Sequence, residues 1–138
     1  MQRDEMVAKV EAAYAARRSG DFAALEPIVA KDAVFVLAGD ESIVSALPGS
    51  GEGTNVHHAA RRLFDTLELR ELERVKAVAE GNEVAIIWKT TAAVPGSEPF
   101  DTLMFDLWEF DDQGRICRGT QFVDTAKFAQ AMRARAEV

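Results

Sequence analysis

Residues 100–123, FDTLMFDLWEFDDQGRICRGTQFV, read as two antiparallel strands joined by a tight turn at Asp111-Asp112-Gln113-Gly114. Side chains alternate faces along a strand with a period of two. Over 100–110 one face therefore holds Phe100, Thr102, Met104, Asp106, Trp108 and Phe110. The other holds Asp101, Leu103, Phe105, Leu107 and Glu109. Both faces are apolar at mid-strand, so neither is left to water along its whole length. One face is expected to pack on helices of the same chain. The other calls for a second layer that no unassigned segment supplies, which predicts a homodimer through the outer sheet face.

Working outward from this hairpin, residues 83–91 and 73–79 form two further strands around the turn Glu80-Gly81-Asn82. Upstream, 34–37 (VFVL) is a short β-rich run. Residues 5–18 carry Met6, Val7, Val10, Ala13 and Tyr14 on one helical stripe. Gly20 ends that helix and Asp21 caps a short second one over 22–30, bent at Pro27. A third helix over 57–69 is capped by Thr54 or Asn55, and a C-terminal helix follows Asp124 from Thr125 to about 135. The stretch 38–54 is rich in Gly, Ser and acidic residues and reads as a long surface loop. Helices come first and a meander of strands second, which is an α+β domain occupying residues 1–138.

Composition narrows the partners. Twenty-three acidic side chains against 16 basic ones leave a net charge of −7, which argues against nucleic acid and against an anionic membrane surface. No apolar run approaches bilayer length and no leader pattern opens the sequence, so the expected location is cytoplasmic. The single cysteine, Cys117, excludes an internal disulfide and a cysteine cage for zinc. No metal site and no cofactor are expected.

The informative residue is Asp106. An unpaired ionised carboxylate among Met104, Trp108 and Phe110 costs several kcal/mol, so the group either keeps a proton or finds an arginine or a helix amide. His57-His58 open a helix and read either as a proton shuttle at a pocket mouth or as surface capping residues. Their directions differ by about 100°, which does not suit a metal.

Taken in order, Arg18-Ser19-Gly20-Asp21-Phe22, Lys31-Asp32-Ala33-Val34-Phe35, Glu80-Gly81-Asn82-Glu83-Val84 and the run from Asp106 to Ile116 resemble the ketosteroid-isomerase-like and SnoaL-like polyketide cyclase branch of the nuclear transport factor 2 superfamily. The resemblance spans residues 6–132. It implies a curved antiparallel sheet wrapped by N-terminal helices into a cone-shaped half barrel around an apolar pocket, commonly as a dimer. Ketosteroid isomerases combine a carboxylate base with a tyrosine and a protonated aspartate that hold the substrate oxygen. By resemblance Asp106 takes the aspartate position. Leu37 stands where the base would be, so steroid isomerisation is not expected. The tyrosine position falls on Ala13, with Tyr14 one residue further round the helix. The resemblance also places Trp88, Gly119, Gln121 and Val123 on the pocket wall with Phe35, Leu37, Met104 and Trp108, and His57 near its mouth.

Three functions follow as expectations. One is a cofactor-free isomerase or cyclase acting on an apolar carbonyl compound, with Asp106, Tyr14 and Gln121 as its chemical groups. A second is a non-catalytic module that binds a small apolar ligand. The third is a dimerisation domain whose pocket is vestigial, filled by side chains such as Trp108.

Overall fold

The computed structural model describes residues 1–136, with side chains described through Arg133. It is built from helices α1 (Arg3–Ser19), α2 (Glu41–Val44), α3 (Val56–Thr66) and α4 (Thr125–Ala136). Six strands accompany them: β1 (Val29–Ala38), β2 (Thr54–Asn55), β3 (Glu68–Glu80), β4 (Glu83–Ala93), β5 (Phe100–Phe110) and β6 (Ile116–Val123). The strands form one sheet in the order β2-β1-β6-β5-β4-β3. This is the expected α+β class with an open curved sheet, and one neighbour pair departs from the antiparallel rule. β1 runs parallel to β6, pairing Phe35 with Gly119 and Leu37 with Gln121. Irregular register within β1, β3 and β6 adds the local bends that curve a sheet.

The alternation read from β5 holds. Thr102, Met104, Asp106, Trp108 and Phe110 face inward and are buried, while Leu103 and Phe105 face out. α1 and α3 lie across the inner face. α1 buries Met6, Val7, Val10, Tyr14 and Arg17, a three-and-four spacing that keeps one stripe against the sheet. α4 closes one end of the core by burying Phe128 edge-on to Phe100, with ring centroids 5.2 Å apart. Full burial of a side chain of that size contributes roughly 1.5–3 kcal/mol.

Four segments differ from the sequence reading. The second helix shrinks to a single 3-10 turn, Phe22–Leu25, because Pro27 has no N–H to continue it. β1 consequently starts at Val29. α3 stops at Thr66 because Leu67 turns to extended backbone. Leu67 and Leu69 then bury at a spacing of two, and β3 begins at Glu68. The 38–54 stretch is anchored as well as exposed: Asp40 caps α2 through Ser42 N–H, and Val44 and Leu47 sit in the core. At the start of β6 the register shifts between Glu109 and Phe110, so Ile116 buries and Cys117 is turned to half-exposure. Among the described residues no helix is long and apolar enough to cross a membrane.

Candidate functional site

Asp106 sits at the middle of β5, opposite Ile86 of β4 and Gln121 of β6, and its exposure is 0%. Four donors from three strands and one helix converge on its carboxyl. Trp88 Nε1–H donates to Oδ2 at 2.9 Å and Trp108 Nε1–H to the same oxygen at 3.2 Å. The Tyr14 hydroxyl also donates to Oδ2. Gln121 Nε2–H donates to Oδ1 at 3.0 Å and to the Tyr14 oxygen at 2.8 Å. Sequence position explains each arrival. Trp88 and Gln121 stand on neighbouring strands with inward parity, Trp108 lies two residues along β5, and Tyr14 lies one turn past Val10 on the buried stripe of α1.

No cation accompanies this carboxyl among the described residues. Burial pushes Asp106 above its ordinary 3.8, and the bonds from Tyr14, Gln121, Trp108 and Trp88 pull the other way without cancelling it. Burial likewise holds the Tyr14 phenol well above 10.0, helped by the charge and hydrogen bond of Asp106. The cluster therefore favours its protonated forms. Trp88 and Trp108 can only donate, whereas Tyr14 can donate or accept. A neutral Asp106 can accordingly donate to the Tyr14 oxygen, which leaves the phenol proton free to point elsewhere.

Next to the cluster lies a cavity with about 60 Å³ of free space. Its wall is largely apolar, with Leu25, Val29, Phe35, Leu63, Met104 and Ile116 prominent; Tyr14, Arg17, Trp108 and Gln121 supply its polar atoms. Asp106 is not in this wall; it lies behind Tyr14, Trp108 and Gln121, whereas the aspartate position implied direct contact with a substrate oxygen. Trp88 is buried beside Tyr14, ring centroids 4.7 Å apart, and it too lies off the cavity. Leu37 is in the core and bonds the Gly49 carbonyl through its N–H. Gly119 faces inward as its parity required, but a side chain there would overlap Trp108 Cζ3 and Cε3, so the indole occupies that space. Val123 packs on the core beside Met104, away from the cavity. His57 is half-buried at the start of α3, with Nε2 3.1 Å from the Ala30 carbonyl and its backbone N–H on Asn55. Asn55 is thus the cap of α3, and His57 is not among the residues lining the cavity.

Arg17 is a wall residue that the sequence reading passed over. The signal was available, because Arg17 extends the Val7–Val10–Tyr14 stripe by three.

A family model for the SnoaL-like domain matches residues 10–119. The chain belongs to the SnoaL-like family. Solved structures of the nuclear transport factor 2-like fold surround this SnoaL-like domain. One is a nuclear transport factor 2-like protein of Burkholderia xenovorans LB400, 21% identical with a TM-score of 0.76, covering 95% of this chain and 98% of that one. Another is an LEH-like epoxide hydrolase of M. tuberculosis, 17% identical with a TM-score of 0.70 over 96% and 93% of the two chains. A third is a polyketide cyclase candidate from Xanthomonas campestris pv. campestris, 18% identical with a TM-score of 0.67 over 94% and 97%. No curated protein matches the chain significantly. At these identities the neighbours share the fold.

Proposed function

We propose that this SnoaL-like domain is a cofactor-free enzyme of the isomerase or cyclase type that acts on an apolar carbonyl compound. The observation that carries the proposal is the convergence of four donors on a wholly buried carboxyl, with three of them, Tyr14, Trp108 and Gln121, belonging to residues that also line a largely apolar cavity. A buried polar cluster of this kind is costly unless every member is satisfied, and a core filled with apolar groups would be simpler to build. In the proposed step a substrate carbonyl oxygen accepts the Tyr14 proton as a hydrogen bond while neutral Asp106 donates to the Tyr14 oxygen. Both bonds strengthen as negative charge develops on the substrate oxygen. Gln121 holds the pair in register. A donor of this kind contributes about 10²–10³-fold. Leu37 moves no proton and no carboxylate or imidazole lines the cavity among the described residues, so the substrate's α-proton passes to water and the reading fits a substrate acidic enough for that.

Size restricts the substrate. An engineered apolar cavity of about 150 Å³ takes one benzene, and this cavity is smaller. A four-ring ketone does not fit it as it stands. A compact carbonyl end, entering with the rest of the molecule at the mouth, is the better match. The same small volume, together with Leu37, favours the second reading, a module that binds a small apolar ligand without turnover. A panel of compact cyclic ketones and β-keto compounds separates them. Enzyme action requires a rate that falls in Tyr14→Phe and Asp106→Asn, whereas a binder shows thermal stabilisation by ligand and no rate. If no panel member is turned over or stabilises the protein, both readings fail.

We also propose that two copies pair through the outer sheet face. Leu103, Phe105 and Phe122 are 57%, 43% and 50% exposed and adjoin across β5 and β6, with Phe105 opposite Phe122. Clustered large apolar groups on one sheet face mark an interaction surface, and a self-complementary pairing covers both copies at once.

A further inference from the structure

The geometry points to Arg17 as the specificity-determining residue of the cavity, selecting a compact keto acid whose carbonyl meets Tyr14 and whose carboxylate meets the Arg17 guanidinium. This rests on the cavity being the ligand site proposed above, and it adds the class of ligand that the site would take.

Arg17 is only 9% exposed, and arginine is almost never that deeply buried without a charged partner. Among the described residues no carboxylate pairs with it. Its Nη2 donates to the Leu67 carbonyl at 2.8 Å and to the Leu63 carbonyl at 3.4 Å, which are acceptors at the C-terminal end of α3. That arrangement accounts for one nitrogen and for the favourable placement of a cation at a helix C-terminus. It leaves Nη1 and Nε without a protein acceptor among the described residues. Neither is an enclosed, unsatisfied group, so both open onto free space. The guanidinium is thus half anchored and half presented.

It is presented at a junction. Arg17 lines the apolar cavity and also a surface cleft of about 810 Å³ between the end of α1, the α3–β3 joint and the residues following β4. The cleft carries Arg17, Arg18 and Arg70 against Asp65 and Glu68, and Arg70 already engages Glu68 at 3.1 Å. Three cations to two anions is a local excess of positive charge on a chain whose net charge is −7. Arg17 is the charged residue that the cleft and the cavity share.

Ligand chemistry follows from the two groups. A planar guanidinium with free N–H groups matches a carboxylate better than it matches a point dipole. Tyr14 and Arg17 are three residues apart on α1, which puts their β-carbons about 5–6 Å from each other on one face. With about 60 Å³ of free space, the cavity takes the keto end of a short acyclic acid, and the carboxylate stays at Arg17, which also borders the cleft. The apolar wall between them excludes a more polar frame.

The test uses 4-oxopentanoate and its methyl ester with the intact chain, read through the Trp108 indole N–H and the Arg17 Nε–H resonances. The acid is expected to bind about 10- to 100-fold more tightly than the ester, the range for hydrogen bonds to a charged group, and to shift the Arg17 signal where the ester does not. Arg17→Gln is expected to bring the acid's affinity down to that of the ester. Should Arg17→Gln fail to fold because α3 loses its C-terminal partner, the Arg17 signal of the unmodified protein still decides. Equal binding of acid and ester, with Arg17 unmoved by either, overturns the inference and leaves the cavity reading standing. No shift of Trp108 by either probe at millimolar concentration overturns both.

Discussion

Replacing Asp106 by asparagine removes the proton from the cluster while keeping its shape and one acceptor oxygen for the indoles. In the unfolded chain the carboxyl releases its proton near 3.8; in the folded chain burial outweighs the four hydrogen bonds and the proton is held to higher pH. Between those two values the folded state carries one proton more than the unfolded state. Stability therefore falls as pH rises through that window, by about 1.4 kcal/mol for each pH unit it spans. The extra stability is complete below 3.8 and gone once pH exceeds the folded value. The Asp106→Asn variant lacks this slope, so the difference in unfolding free energy between the two proteins should shrink as pH rises above 3.8. Asp106→Leu provides the scale. It strands Trp88 Nε1–H and Trp108 Nε1–H in the core, at about 1–3 kcal/mol each, and should be about 2–6 kcal/mol less stable than Asp106→Asn across the whole pH range. Urea unfolding followed by tryptophan fluorescence measures all three proteins. A wild-type minus Asp106→Asn difference that stays constant, or grows with pH, would refute the reasoning, since the second outcome requires a carboxyl that ionises more readily when folded.

Other outcomes follow from the same geometry. Tyr14→Phe removes the hydroxyl that faces the cavity and should lower turnover of any active carbonyl substrate by about 10²–10³-fold, seen in steady-state kinetics as a fall in kcat with little change in KM; an unchanged kcat counts against the proposed step. Gly119→Ala pushes a methyl into the Trp108 indole and should destabilise the fold by about 1–3 kcal/mol. It should also displace the Trp108 N–H resonance from its Asp106-bonded position, and a spectrum unchanged at Trp108 would contradict that packing. Phe105→Glu puts a charge in the centre of the exposed apolar face and should convert a dimer to a monomer in sedimentation; a dimer that survives it pairs through another surface.

The sheet was legible because β5 alternates without interruption from Phe100 to Phe110, and parity alone delivered Met104, Asp106 and Trp108 to the inner face. Strict alternation along β6 would turn Cys117 inward with Gly119 and Gln121, but a register shift that composition does not mark changes the phase there and leaves it half-exposed. The parallel seating of β1 on β6 was equally hidden, because partner choice depends on packing across the whole chain and not on the four residues VFVL. Within the site, Asp106 and Gln121 were readable from strand parity, and Tyr14 from the helical stripe. Their mutual bonds required three-dimensional convergence of residues up to 107 positions apart. What the pattern could not convey is filling. Trp108 lines the cavity as the resemblance implied, and its indole also packs on Gly119 and bonds Asp106, narrowing the space that a ligand would use. Arg17 escaped notice because a cation at the end of a helix is ordinarily solvated, and only its burial under α3 makes it unusual.

The chain has two tryptophans, and both indole N–H groups donate to the same Asp106 oxygen, so they form a built-in indicator of that carboxyl. A pH titration of the two indole ¹⁵N–H resonances should show Trp88 and Trp108 moving together with one midpoint above 3.8, and no such step in Asp106→Asn. A shared midpoint at or below that value, or two indoles that titrate apart, would mean that the carboxyl is charged or unbonded in the folded protein and that no proton is held at the base of the cavity.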